Sequence, residues 1–331
     1  MDRPREDSSP AARERRERVR AAIVAAAGSR VSGEALAHEL GCSRAAVHRH
    51  VEALRREGLP IATGPGGYRL EGDADPVVPS LVEPRLVAPL AGPVVWHPTV
   101  GSTNDEATRL ARGGAEEGLV VGAEHQSAGR GRRGRPWMDR PGDALMFSLV
   151  LRPPLPPVDA GILPMLVAVG VSDALTGATA PVEIAWPNDV LVGGRKVAGI
   201  LLELSADQER IAWAVAGVGV NVRSAPDIPD ARWTPGCLAE AGAARPRGDL
   251  LVDVLRAIAA RYRSLLAEGP GGVLDAFAAR DHLAGKPVTL ALDGREVRGI
   301  ASGIDALGRL RVTTHAGERR LAAGEVVRVG A

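Results

Sequence analysis

With 331 residues, 45% of them hydrophobic, the chain is long enough to bury two or three cores, and its formal net charge of +1 excludes a globally basic nucleic-acid or membrane-surface binder. Cys42 and Cys237 show no CxxC spacing and no neighbouring histidine pair, which excludes a disulfide framework and a structural zinc site. Neither a signal-peptide core nor a run of about 18 apolar residues occurs, so a soluble cytoplasmic protein without a membrane span is expected.

Residues 1–12 carry charge and proline without a periodic apolar face and read as disordered; a helix is expected from near Arg13, and the first folded domain is counted from residue 18. Val19, Ile23, Val24 and Ala27 fall on one helical face, and Gly28 sits at its end. Ser32 is a good N-cap for a second helix, Gly33–Leu40; Gly41 suits a tight turn; Ser43 caps a third helix, Arg44–Glu57. Leu59, Ile61 and Ala62 then alternate, Gly64-Pro65-Gly66-Gly67 turns the chain, and Tyr68-Arg69-Leu70 returns as a strand. Helix, helix-turn-helix and hairpin over 18–72 is the order of a winged helix.

Residues 73–88 are proline-rich and read as a linker. The next domain, 89–282, alternates predicted strands (94–97, 119–124, 145–151, 182–186, 190–192, 197–204, 211–221) with predicted helices (103–112, 160–177, 249–266), a mixed α/β arrangement around a buried sheet. Residues 283–331 change to short period-2 strands, Val288–Leu292, Val297–Ile304, Leu310–Thr314 and Val326–Val329. Turns at Asp293-Gly294, Leu307-Gly308 and Ala316-Gly317 punctuate them, as in a small β-barrel of SH3-like size.

The third helix carries Arg44, His48, Arg49, His50, Arg55 and Arg56 against Glu52 and Glu57. The small residues after Ser43 permit close approach to a groove, and Arg44 reaches a base edge or a phosphate. Ser43, Arg44, His48 and Arg49 are the candidate DNA contacts. A solvated arginine face on a protein-binding scaffold is the competing reading.

Four segments of the α/β domain hold polar and glycine residues that a plain core would not need. Gly101-Ser102-Thr103-Asn104 either caps the next helix or presents hydroxyls and amides to a polar ligand head. Gln126-Ser127-Ala128-Gly129-Arg130-Gly131-Arg132-Arg133-Gly134-Arg135-Pro136-Trp137 interleaves glycines with guanidiniums, which suits a mobile anion-binding loop. An RNA-binding or import-type charge run fits poorly between two core strands. Trp186-Pro187-Asn188-Asp189 makes a turn or holds Mg²⁺ beside phosphates; Gly193-Gly194 suits a type I′ or II′ hairpin, and Gly199 leaves room for a flat ligand. Gly217-Val218-Gly219-Val220-Asn221 is a second strand open to close approach.

In this order the Ser-Thr-Asn, Gly-Arg-Gly-Arg-Arg-Gly, Trp-Pro-Asn-Asp, Lys-x-Ala-Gly-Ile-Leu and Gly-x-Gly-x-Asn segments resemble the biotin protein ligases. The N-terminal domain resembles the form of that family that doubles as biotin operon repressor. The resemblance implies an α+β chain: a winged helix-turn-helix, a central α/β ligase domain of the biotin/lipoate type and an SH3-like barrel. It implies a homodimer with operator DNA as one partner. It also implies a ligase activity that uses biotin, ATP and Mg²⁺ to make biotinyl-5′-AMP, then biotinylates a lysine of the biotin carboxyl carrier protein of acetyl-CoA carboxylase. By position, Ser102, Thr103, Asn104, Gln126, Gly129, Arg130, Gly199 and Gly217 would hold biotin. Arg132, Arg135, Trp137, Asn188 and Asn221 would hold the nucleotide, Arg132 and Arg135 would act in catalysis, and Asp189 would hold Mg²⁺.

One position departs from the family, which reads Lys-Trp-Pro-Asn-Asp where this chain has Ala185 before Trp186. That lysine would supply an ammonium at the reacting centre, so its loss implies an impaired enzyme, engineered or natural. Lys196, with Lys286 one of only two lysines in the chain, is no obvious replacement across a hairpin. A biotin-sensing repressor with little ligase activity is the alternative. A lipoate ligase is another, against which the Gly-Arg loop and the winged helix both argue.

Overall fold

The computed structural model describes residues 9–330 except 73, 176, 230, 293, 294 and 323. Its contacts form two units, one running through Arg85 with Pro246–Gly248, the other comprising Leu86–Arg245 and Asp249–Ala331.

In the first unit, α1 (Pro10–Ala25) begins ahead of Arg13 because the Ser9 hydroxyl accepts from Ala12 N at 3.1 Å and Pro10 opens the first turn. Residues 10–17, expected outside the first folded domain, are therefore helix; residues 1–8 of that segment lie outside the described residues. Ala12, Val19 and Ile23 mark the buried side of α1. Ser32 caps α2 (Gly33–Glu39), Gly41 turns with φ +58°, and Ser43 caps α3 (Arg44–Arg56) through Ala46 N at 3.2 Å. The hairpin β1 (Ile61–Gly64) and β2 (Gly67–Leu70) pairs antiparallel around Pro65-Gly66. Gly67 is required, since a Cβ there would stand 1.9 Å from Val31 O, the carbonyl that accepts from Tyr68 N. Val19, Leu36, Val47, Val51, Leu54 and Tyr68 share one core. The stretch read as linker is packed: Val77 and Val78 are buried, and α4 (Pro79–Val82) buries Val82 before a 3-10 turn at Glu83–Arg85. Pro79 starts this helix, where proline costs no hydrogen bond.

The second unit is built on a seven-stranded sheet. In chain order its elements are β3 (Val94–His97), α5 (Thr103–Arg112), β4 (Val120–Ala123), β5 (Ala144–Leu151), α6 (Ile162–Ala174), β6 (Val182–Ala185), β7 (Asp189–Val192), β8 (Arg195–Ala206) and β9 (Ile211–Asn221). The sheet runs β3-β4-β5-β9-β8-β7-β6 and is antiparallel except at β3–β4. All residues of α6 except Pro164 and Asp173 are buried, which places it between layers rather than on a surface. It packs on β6, β7 and β8, with α7 (Arg247–Glu268) and α8 (Gly271–Ala278) following in the chain, while α5 lies across β4, β5 and β9. Helix α8 was missed in the sequence because eight residues give too little periodicity.

The C-terminal strands β10 (Pro287–Leu292), β11 (Arg295–Ile304), β12 (Leu310–Thr314), β13 (Gly317–Leu321) and β14 (Glu325–Val329) order as β13-β12-β11-β10-β14. The strands expected in a barrel form a five-stranded antiparallel sheet, in which β13 and β14 occupy the two edges and do not pair with each other among the described residues. Strand β13, Gly-Glu-Arg-Arg-Leu, was not expected because only Leu321 of it is buried and its polar run shows no alternation. The turn expected at Asp293-Gly294 lies outside the described residues.

Candidate active site and nucleic-acid interface

A cleft opens over the ends of β8 and β9 and is floored by glycine. A Cβ at Gly217 would stand 2.1 Å from Asn104 Oδ1, and one at Gly219 would stand 2.5 Å from the Trp137 indole. Gly199 faces Trp137 and Lys196, each 3.3 Å from a Cβ built there. The strands thus present bare backbone, and flat or elongated groups can lie on them.

One end of the cleft is lined by a hydrogen-bonding network of amides and hydroxyls. Ser102 N-caps α5, which brings Thr103 and Asn104 to its first turn, all three buried. Gln126 Oε1 accepts from Thr103 N at 2.8 Å and lies 3.1 Å from Thr103 Oγ1. Ser148 donates to Asn104 Oδ1 at 2.6 Å, and Asn104 Nδ2 donates to Glu203 at 3.1 Å. Arg130, expected among the residues that hold biotin, forks onto Asp105 at 2.8 and 2.5 Å and reaches Glu203 at 3.5 Å. The guanidinium is exposed and braces the loop stem against α5.

The Gly-Arg loop folds over the cleft. Gly131 N donates to Arg135 O at 2.7 Å, Trp137 N donates to Gly129 O at 2.9 Å, and between them Arg133 takes the left-handed φ of +58°. Arg132 points inward, its guanidinium 3.4 Å from Asn188 Oδ1. Burial above all pulls its pKa below the ordinary guanidinium range, with Asp189 opposing; a partly desolvated cation of this kind gains most from an arriving anion. Arg133 and Arg135 turn to Glu325 at the start of β14, the first at 2.9 Å, so at the cleft rim Arg135 meets a carboxylate of the C-terminal sheet. The indole N–H of Trp137 is buried without a hydrogen-bond partner.

The opposite end is cationic. Asp189, 2% exposed, lies 2.6 Å from Lys196 Nζ through Oδ1, while Oδ2 accepts from Arg232 and, at 3.1 Å, from Trp233 Nε1. Both oxygens are therefore spent on three donors, two of them charged. That pairing does not fit a Mg²⁺ ligand at Asp189. Asn188 and Asn221 give their amide nitrogens to Ile200 O at 2.6 Å and Gly236 O at 3.0 Å, so both serve first as struts of the cleft wall.

Ala185 is fully buried and lies opposite Asp189 in the β6–β7 ladder; it does not line the cleft, whereas Lys196 does. The bulge between Val190 and Leu191 breaks the register that made a cross-hairpin lysine look misplaced. Sequence reasoning missed Ser148, Glu203, Glu325, Arg232 and Trp233. Arg232 and Trp233 come from an irregular Pro-rich stretch with no periodic signal, and Glu325 is some 190 positions from its arginine partner.

On the first unit, α3 presents Arg44, Ala45, His48 and Arg49 to solvent. His48 Nδ1 lies 3.5 Å from the Tyr68 hydroxyl of β2, while Ser43 is occupied as the cap. Of the other basic residues of α3, His50 is 7% exposed and belongs to the interior, and Arg55 folds onto Ile61 O and Thr63 Oγ1 of the hairpin at 2.8 and 2.7 Å.

Comparison with known proteins agrees with the three-part division. The Biotin/lipoate A/B protein ligase family description matches residues 92–221, an HTH domain matches 15–69, and a biotin protein ligase C-terminal domain matches 284–329. The chain is 35% identical over 245 residues to the bifunctional ligase/repressor BirA of Bacillus subtilis, covering 72% of this chain and 75% of the relative. It is 33% identical over 284 residues to that of Escherichia coli, covering 84% and 87%. The solved biotin protein ligase of Aquifex aeolicus, in complex with biotin and ATP, superposes with a TM-score of 0.60 at 26% identity, over 70% of this chain and 96% of that one.

Proposed function

The chain belongs to the family of bifunctional biotin ligase/repressors, and we propose that its cleft joins biotin to AMP and passes the biotinyl group to the biotin carboxyl carrier protein of acetyl-CoA carboxylase. The observation that carries this reading is one cleft with an amide-and-hydroxyl end, a glycine floor and a cationic end holding Lys196 and Arg132. The biotin ring system suits the Thr103–Gln126 end, with its tail laid along Gly217 and Gly199. The carboxylate then arrives at Lys196 and Arg132, beside the α-phosphate of ATP.

A biotin carboxylate oxygen attacks the α-phosphorus, the P–O bond to pyrophosphate breaks, and a mixed anhydride forms. Two anions meet in this step, and the ammonium and guanidinium offset both their repulsion and the charge developing on phosphorus. The carrier lysine's neutral amine next attacks the acyl carbon, AMP leaves, and the amine's proton passes to solvent. Closure of Gly129–Trp137 keeps water from the anhydride. Asn188, Asn221 and Trp137 form the wall against which the nucleotide packs. No step is assigned to a protein-bound Mg²⁺, since Asp189 is not available to hold one.

The first unit is read as the operator-binding part of a cytoplasmic repressor acting as a homodimer, with α3 in the major groove of each half-site. Lys196 in the cleft supports the ligase reading over a biotin-sensing repressor with little ligase activity. Biotin-dependent pyrophosphate release, with lipoate as the competing substrate, tests the ligase reading; equal turnover of lipoate would overturn its specificity, and no release with either would overturn the activity.

A further inference from the structure

Building on the ligase reading, we propose that Asp189 is a positioning residue for adenylation: its carboxylate, pinned on one side by Arg232 and Trp233, holds the Lys196 ammonium where the biotin carboxylate meets the α-phosphate. A lysine head on a four-carbon stem is a mobile point charge, and it acts at a reacting centre only if something fixes it. The contact Asp189 Oδ1–Lys196 Nζ is 2.6 Å, and the lysine side chain is 31% exposed, so its other face stays open to the cleft. The carboxylate itself cannot swing. Oδ2 is held by Arg232 and by Trp233 Nε1 at 3.1 Å. Arg232 donates onward to Val326 O at 3.3 Å and stacks 5.0 Å over the Trp233 ring, whose edge meets His282 at 5.0 Å. The clamp is therefore tied to β14 and to the segment that follows α8.

Charge explains why the clamp does not silence the lysine. One carboxylate faces two cations, so the cluster keeps a net positive charge directed at the floor beside Gly199, where an anion is attracted and Mg²⁺ is not. Arg132 stands at the same rim, bonded to Asn188 next in the chain to Asp189.

The test is single-turnover pyrophosphate release by the full chain at saturating biotin and ATP. Failure of the unmodified chain to release pyrophosphate would overturn the ligase reading, and this proposal with it; the remaining outcomes bear on Asp189 alone. Asp189→Asn should lower the rate on the order of 10²-fold, with KM for biotin changed only a few-fold and the Mg²⁺ concentration for half-maximal rate unchanged. In a Lys196→Gln background the same substitution should cost nothing further, because the residue acts through the lysine. Equal losses in both backgrounds, or a raised Mg²⁺ midpoint, would overturn the proposal. If Asp189→Asn does not fold, Trp233→Phe removes the N–H donor at Oδ2 along with part of the ring; a several-fold fall in kcat, absent in the Lys196→Gln background, is expected, and an unchanged kcat overturns the idea.

Discussion

Lys196 and Ala185 show how two positions a few strands apart exchange importance once the sheet is assembled. Lys196 is the lysine of the cleft, and Lys196→Gln should slow adenylation on the order of 10²–10³-fold, the usual worth of one donor aimed at developing charge. Rapid-quench assay of biotinyl-AMP is the check, and a rate within a few-fold of the unmodified protein would remove Lys196 from the reacting centre. Ala185→Lys, by contrast, forces a long cation into a fully buried site whose ladder neighbour, Asp189, already has its oxygens occupied. No gain in rate is expected; overpacking should instead cost about 1–3 kcal/mol, read as a lower urea midpoint. A faster enzyme of undiminished stability would restore the catalytic reading of position 185.

Elements bring a different kind of constraint. The Gly129–Trp137 loop is closed here by its own backbone bonds and by two arginines on Glu325. Glu325→Gln removes the carboxylate charge both arginines share, so amide exchange in 129–137 should quicken without ligand and slow again with biotin and ATP. Equal exchange in both proteins would mean that Glu325 does not hold the loop. In α6, Gly170 is where another helix crosses: a Cβ there would stand 2.6 Å from Ile258 Cγ1 and 2.9 Å from Ile258 Cα. Gly170→Ala should therefore destabilise by about 1–3 kcal/mol although alanine is the better helix former. Calorimetry decides it, and a raised melting temperature would contradict the packing argument. For α3, the exposed Arg44, His48 and Arg49 make the DNA face narrower than the run of basic residues suggested. Arg44→Ala should weaken operator binding and, if the contact is to phosphate, lower the salt slope by about one.

At the scale of the whole molecule, two units carry the two proposed activities. Removing residues 1–72 should abolish retention of operator DNA in a gel shift yet leave biotin-dependent pyrophosphate release within a few-fold. The cut keeps Asp75, whose carboxylate accepts from Arg247 N at 2.8 Å. Retention of DNA by the truncated chain would displace α3 as the reading element. The C-terminal sheet, though remote in sequence, belongs to the second unit and reaches the cleft through Glu325 and Arg232–Val326, while the Trp186 indole donates to Gly308 O at 3.1 Å away from it.

Local chemistry was legible without coordinates wherever a residue acts on its own neighbourhood. Ser32, Ser43 and Ser102 as caps, Gly41 and Gly193-Gly194 as turns, and the strand 211–221 follow from hydroxyl-to-amide bonding, left-handed glycine and period-2 patterning, all short-range. The Ser-Thr-Asn, Gly-Arg and glycine-strand segments also stood out, because their composition is costly in a plain core. Only the tertiary structure decided which of those residues face the cleft and what they meet there. A bulge turned the hairpin so that Lys196 reached Asp189, an irregular loop delivered Arg232 and Trp233, and β14 brought Glu325 to Arg135. Charge pairing across such separations depends on where folded elements place their ends, and no periodicity along the chain records it.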